Sequence, residues 1–212
     1  MSDREALRTR AVEKPGFYSP WLHLFTPSVI GAVVVVACAR VLRDVRPWQL
    51  AFAAFVFVLS NAVEWRVHRD ALHKRFPFME ILYERHTPLH HCIFIRGDMS
   101  LRDPREFRLI LLPAFGILAI LSITAPPAAL LYWLGQRNLA ALYLLITTAY
   151  VVLYEWLHLS YHLPEAWLRG PLRAIRVLRQ HHETHHDPAL MQSWNFNVTV
   201  PLWDYVRGTI HR

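Results

Sequence analysis

Four long stretches of this chain carry no charged side chain: residues 15–39, 47–63, 109–136 and 138–154. A helix that crosses the hydrocarbon core of a bilayer needs about 20 apolar residues, with a working range of roughly 17 to 25. Each stretch is long enough, two of them at the short limit, so four spans are expected. The competing reading is a large soluble bundle with buried helices of similar length. It fits less well, because Trp21, Trp48, Trp65, Trp133 and Trp156 lie near the ends of the stretches, and amphipathic rings collect at the boundary of lipid and water. Composition agrees: the chain is 54% hydrophobic and 18% charged, richer in apolar and poorer in charged residues than a typical soluble domain.

The first twenty residues are polar and carry Arg4, Arg8, Arg10 and Lys14 before any apolar run begins. That is not the order of a cleaved signal peptide, so the first span is expected to stay. Basic residues crowd the N-terminus, the segment from Arg66 to Arg108 and the tail beyond residue 165, while only Arg137 lies between the third and fourth stretches. Positive charge marks the cytoplasmic side. An even number of spans then puts both termini and the long polar segments on the cytoplasmic face. Arg40, Arg43 and Arg46 disagree, since they fall between the first two stretches and leave the topology of the first hairpin open. The third stretch is longer than a span needs, and Pro126-Pro127 is expected to end its helix early. The net charge of +7 comes almost entirely from arginine, with Lys14 and Lys74 as the only lysines. This bias is compatible with a GC-rich bacterial genome and a bacterial inner membrane. Cys38 and Cys92 form no C-x-x-C motif or disulfide framework and are read as packing residues.

Segment 165–180 sets Leu168, Leu172 and Ile175 at helical spacing with Arg169, Arg173 and Arg176 one step round. Such a helix can lie on an anionic membrane surface or pack on the protein with a basic face in water. Nucleic acid, which also attracts arginine, is not an expected partner beside membrane spans. The chain also shows signs of a duplication. "EWRVH" follows the second apolar stretch and "EWLH" the fourth; each is followed by a further histidine and later by "HTPLHH" (86–91) or "HHETHH" (181–186).

Of 13 histidines, all but His23 and His211 fall in four tight groups. Protonated imidazoles held together repel, and buried neutral ones each need a partner, so metal is the economical explanation. Zinc with four ligands would use only part of the set. Ten neutral imidazoles suit two metals of higher coordination number with positions left open. His158 and His162, four apart, share one helix face; His68 and His73, five apart, are slightly off-face. Adjacent histidines cannot share a face, so His90-His91 and His185-His186 are each expected to give one imidazole to each of two metals.

The order of these groups resembles the membrane-bound fatty acid hydroxylase and sterol desaturase superfamily. His68-RDAL-His73, His86-TPL-His90-His91, His158-LSY-His162 and His182-ET-His185-His186 follow its pattern of H-x(3-4)-H, H-x(2-3)-H-H, H-x-x-x-H and H-x-x-H-H. "NFNVTVPLWDYVRGT" is similar to its N-F-G-[VI]-T-x-x-x-W-D-x-x-x-G-T, with Asn197 where glycine is usual. The resemblance runs from about residue 60 to the C-terminus. It implies an all-α membrane protein with two hairpins of spans and a cytoplasmic-side helical cap that carries a dimetal site. The ten ligands it implies are His68, His73, His86, His90, His91, His158, His162, His182, His185 and His186. The chain is read as a single domain over 1–212. The implied cofactors are two iron ions, with zinc as a possible substitute, and molecular oxygen is the co-substrate. The implied reaction is hydroxylation, or sometimes desaturation, of a lipid chain or sterol taken from the bilayer; a carotenoid would serve the same chemistry. Attacking an unactivated C–H bond needs an oxidant that no side chain provides. Electrons must come from an external donor such as a cytochrome b5-like protein, ferredoxin or reductase, since the chain has no haem-binding module or G-x-G-x-x-G fingerprint.

Two other enzyme readings use some of the same residues. His182-Glu183-His186 spells the H-E-x-x-H of zinc metalloproteases; that reading leaves three histidine groups without a role, and Asp187-Pro188 disfavours helix just beyond. "EWLH" contains the Glu-x-x-His of ferritin-like bundles, but Glu64 lies four residues before His68 and the second motif is missing. Glu64 and Glu155 either orient histidines from outside the ligand shell or cap the ends of spans. A non-enzymatic metal carrier would use the same ligands. His181 remains an alternative to His182, because His181 with His185 and His186 repeats the spacing of His86 with His90 and His91.

Overall fold

The computed structural model describes residues 3–13, 16–113, 115–164, 166 and 173–211, and its secondary structure is helical. Four helices are long and apolar enough to cross a membrane: α2 (Pro20–Val41), α3 (Pro47–Val67), α7 (Gly116–Trp133) and α8 (Arg137–Tyr161). Short helices form the cap: α1 (Asp3–Val12), α4 (Glu80–Arg85), α5 (His91–Ile93), α6 (Phe107–Ile110), α9 (Arg173–His185) and α10 (Leu202–Arg207). Local chemistry starts the spans where the apolar runs begin. Ser19 Oγ accepts the Leu22 N–H at 3.3 Å, with Pro20 in the first turn of α2. Pro47 opens α3, and Arg46 N–H reaches the Gln49 side chain at 3.0 Å. These placements satisfy or remove donors that the first turn leaves free.

The spans form two hairpins, α2–α3 and α7–α8, and α8 packs against the other three. The hairpin turns meet at one end: Asn138 Nδ2 donates to Arg43 O at 2.6 Å and to Gln49 Oε1 at 3.1 Å. The other end carries the cap, whose apolar core includes Ile93, Phe94, Met99, Leu101, Phe107 and Leu109. All four histidine groups lie at this capped end.

Three expectations are corrected here. Pro126 and Pro127 do not end the third helix; α7 runs through both and instead starts late, at Gly116. Stopping inside lipid would strand a whole turn of carbonyls, whereas continuing loses only the two N–H groups that proline lacks. Trp21, Trp48, Trp133 and Trp156 are exposed, as boundary residues should be, but Trp65 is buried and donates Nε1–H to Asp204 and Thr209. Cys38 is buried, but Cys92 is exposed and not a packing residue. The surface-helix reading of 165–180 falls largely outside the described residues: Leu168, Arg169 and Leu172 are not among them, and α9 begins at Arg173.

At Gly31, α2 packs tightly against α8. A Cβ built there would run into Cγ2 of Val152, a β-branched side chain with little freedom to turn aside. Gly31→Ala is expected to destabilise the protein by about 1–3 kcal/mol, read as a lower Tm in detergent. Val152→Ala added to it should recover most of the loss, and an unchanged Tm in the single variant would show that the helices separate without cost.

Candidate metal centre

The two hairpins deliver histidines by the same route with one difference. α8 carries His158 on its last turn and is capped by His162, four residues on and still helical in backbone, so an ordinary helix puts both on one face. α3 delivers His68 and His73, five residues apart, and the turn between them, His68–Leu72, is π-helical. Its wider i→i+5 turn brings the fifth residue back over the first. The cap repeats the device: His86–His90 is π-helical and aligns His86 with His91, whereas His182 and His186 are four apart, and His186 N–H still reaches His182 O at 3.1 Å. The extra residue in both first-half motifs is absorbed by a π turn. The counterpart of His86 is therefore His182, not His181.

All ten histidines proposed as ligands from the sequence are brought together, in two sets of five. One holds His68, His73, His86, His91 and His185; the other holds His90, His158, His162, His182 and His186. Within each set one nitrogen from every ring lies within 4.8 Å of the others, and all ten residues are buried. The adjacent pairs divide between the sets, as geometry requires. His185 crosses from the second half into the first set, and His90 crosses the other way.

The hydrogen bonds fix which nitrogens face inward. A carbonyl only accepts, so a ring nitrogen bonded to one must carry the proton. Nδ1–H of His90 donates to Leu109 O at 2.9 Å, of His162 to Met99 O at 2.9 Å, of His185 to Trp194 O at 2.7 Å and of His186 to Phe94 O at 2.5 Å. His68 does the same with Phe196 O. Thr87 donates its hydroxyl to Leu72 O at 2.7 Å, so at 3.2 Å it can only accept from His73 Nδ1. The Nε2 atoms of these neutral rings then carry lone pairs. His90 Nε2 faces His186 Nε2 at 3.2 Å, and His73 Nε2 faces His185 Nε2 at 2.9 Å. Neither pair has a proton to share, so each contact is repulsive until a cation takes both lone pairs.

Burial, reinforced by neighbouring imidazoles, holds His73, His86, His91, His162, His182, His185 and His186 below the ordinary imidazole range. His90 is pushed down to about 3. Buried nitrogens of His91, His158, His162 and His182 have no hydrogen-bond partner. At about 1–3 kcal/mol for each unsatisfied group, such a cluster would consume much of a typical folding free energy of roughly 5–15 kcal/mol. Packing alone does not account for it. The donor set, all neutral imidazole nitrogen, fits two transition-metal ions.

Outside the histidines lies a buried polar frame that sequence reasoning largely missed. Asp204 is fully buried and accepts from Phe196 N (3.0 Å), Asn197 N (2.7 Å), Trp65 Nε1 (3.1 Å), Thr209 Oγ1 (2.6 Å) and His181 Nε2 (3.1 Å). Burial raises its pKa, but the bonds from His181, Thr209 and Asn197 outweigh burial and hold it below the usual carboxylate range. It thereby fixes Phe196, whose carbonyl holds His68. Only the W-D of the C-terminal motif hinted at this role. Asn197, where glycine is usual in the resembling family, bridges Asn61 O at 3.0 Å and Glu64 Oε2 at 3.2 Å.

Glu64 touches no histidine. Its carboxylate accepts from Val198 N (2.5 Å), Thr199 N (3.0 Å), Thr199 Oγ1 (2.6 Å), Asn197 Nδ2 and the Tyr150 hydroxyl. Glu155 accepts from Leu112 N at 3.1 Å. Both act on the segments that supply carbonyls to His68 and His90, not on the rings. The ferritin-like arrangement is absent from the two sets. The argument from Asp187-Pro188 against a helix through His182 and His186 fails, because the proline restrains residue 187 and the helical bond to His186 survives. The protease reading falls on other grounds: Glu183 accepts from Gly97 N at 3.0 Å, and three further histidines crowd the supposed zinc pair.

Two outcomes follow. Each histidine with a lowered folded-state pKa binds fewer protons folded than unfolded below about pH 6.5. Chelator-stripped protein should therefore lose stability as pH falls from about 7 to 5, by up to about 1.4 kcal/mol per pH unit per histidine. A flat profile in a denaturant titration would contradict the burial. In a metal assay, His182→Ala should lose about half of the bound metal while His181→Ala keeps it; the reverse would move the ligand to His181.

The fatty acid hydroxylase family model matches residues 53–209, a span that begins within α3 and includes both histidine sets. No curated protein and no solved structure matches the chain. With that match over most of its length, and with its histidines gathered at the capped end of two membrane hairpins, the chain belongs to the fatty acid hydroxylase family.

Proposed function

We propose that the protein is an oxygen-dependent di-iron hydroxylase acting on a C–H bond of a fatty acyl chain or related membrane lipid. The observation that carries this reading is the pair of five-imidazole sets with lone pairs turned inward at the capped end of the spans. Five nitrogen donors exceed the four of a structural zinc site and suit iron, which tolerates higher coordination and leaves room for a further ligand. When bound, the two iron ions would supply the means of activating oxygen for attack on an unactivated C–H bond. In the balanced reaction one oxygen atom enters the C–H bond and the other leaves as water, with two electrons and two protons supplied.

The chain's own residues would then do three things. The outer carbonyls hold each ring with its proton outward and its lone pair toward the metal. The burial of all ten histidines keeps bulk water from the oxidant. Tyr154, one turn toward the bilayer on α8, packs its ring 5.6 Å from that of His158 and marks the side from which an acyl chain would meet the second set. Electrons come from an external cytochrome b5-like protein, ferredoxin or reductase at the capped face. The basic segments around that face support placing it in the cytoplasm of a bacterial cell.

Iron-loaded protein with a reductase and oxygen should convert a lipid class to a product heavier by one oxygen atom, and His90→Ala should abolish the conversion. Glu183→Gln should retain most of it. Lipid profiles that stay unchanged under these conditions would overturn the proposal, and loss of two hydrogens in place of a gained oxygen would reassign the enzyme as a desaturase.

A further inference from the structure

A cavity of about 580 Å³ opens at the capped end of α2, with Leu89 and Leu109 in its lining and no histidine of either set. Its two halves differ in chemistry. Arg85, Arg108 and Tyr18 line the inner half, while Leu22, Pro27 and Phe115 line the half next to the span. Leu22 and Phe115 are 59% and 58% exposed, where α2 enters the apolar layer.

The arginines of the inner half are half-buried, and neither forms an ion pair with a carboxylate among the described residues. Other arginines of the cap do: Arg8 with Glu106, Arg102 with Glu5, Arg75 with Glu84 and Arg96 with Asp187. Arg85 directs one nitrogen to Arg108 O at 2.6 Å, and Arg108 lies over the Tyr18 ring, 4.0 Å from its centroid. The Tyr18 hydroxyl is 2.9 Å from His23 Nδ1, which must accept, because His23 Nε2–H is committed to Leu112 O at 2.7 Å. The tyrosine therefore serves as a surface for the guanidinium and not as a donor to an occupant. Two partly desolvated guanidiniums side by side, of which only Arg85 feels a carboxylate, that of Glu155, and without direct contact, favour an oxyanion, which they can bind through paired N–H donors.

The apolar outer half decides what carries that oxyanion. A soluble anion would gain nothing from Leu22, Pro27 and Phe115, whereas an amphipath would place its head at the arginines and its chain along α2. We infer that this cavity binds the headgroup of a membrane lipid of net negative charge, through its phosphate or carboxylate, with its acyl chain leaving past Leu22 and Phe115. The site is separate from the histidines and stands whatever reaction they perform.

The test uses the full-length, metal-loaded chain in nanodiscs of phosphatidylcholine containing phosphatidylglycerol, with retained lipid read by native mass spectrometry. Phosphatidylglycerol should be retained about tenfold over phosphatidylcholine, and Arg108→Gln should remove most of that preference. Arg137→Gln, near the opposite end of the spans, should not. Metal content reports that each variant is folded. Beyond its contacts with Tyr18 the Arg108 side chain has a long 3.5 Å bond to Ala11 O, so it decides the outcome should Arg85→Gln fail to fold. Equal retention of both lipids, or a preference that survives in Arg108→Gln, would overturn the inference. Displacement of the lipid by inorganic phosphate at the same concentration would assign the cavity to a free anion and likewise overturn it.

Discussion

Two imidazole nitrogens that both present lone pairs do not rest 3 Å apart unless a cation lies between them. This condition recurs in each histidine set, at His73 with His185 and at His90 with His186, and the surrounding structure enforces it. A neutral imidazole left to itself can move its proton to the other nitrogen and turn the repulsion into a hydrogen bond. Here that escape is closed, because the Nδ1 protons are held outward by five carbonyls and by Thr87. Preorganisation of this kind removes much of the cost of ordering ligands when metal binds.

The Phe196 carbonyl must in turn be held, and two carboxylates do so. Asp204 and Glu64 each collect five donors, and together they fold the segment from Phe196 to Thr199 against α3. A buried carboxylate is costly unless its lone pairs are filled, and at Asp204 the donors outweigh burial. The frame joins the C-terminus to the second span through Asn61, whose side chain accepts from Trp203 N at 2.8 Å and donates to Val200 O at 2.8 Å. Ligand geometry thus depends on contacts made by residues that never touch a metal.

Much of this was legible in the residues. Absence of charge marked the spans, and histidine clustering marked the ligands, because both are properties of side chains in local sequence. The division of His90 from His91 and of His185 from His186 followed from helix geometry alone. The carbonyl acceptors at Phe94, Met99, Leu109, Trp194 and Phe196 left no trace, since every residue has a carbonyl. Trp65 read as a boundary ring, but tertiary packing turned it inward to Asp204. Pro126-Pro127 read as a stop, because the rule for proline is calibrated on helices that water can relieve. The five-residue gap from His68 to His73 read as an imperfect helix face, and only the backbone revealed π turns there and in the equal gap from His86 to His91.

Those gaps also settle how the halves correspond. Counting residues pairs His86 with His181, since each precedes its double histidine by four. Counting turns pairs His86 with His182, since one wide turn spans what an ordinary turn spans with one residue fewer. The structure follows the turns, and the same correspondence governs the exchange of His90 and His185 between sets. Each hairpin with its own cap segment supplies only four of the five nitrogens of its set, so neither set is complete until both halves have packed. A metal bound to either set therefore favours the joined state of the whole molecule over any partly assembled one, and the histidines that would serve chemistry also tie the two hairpins together.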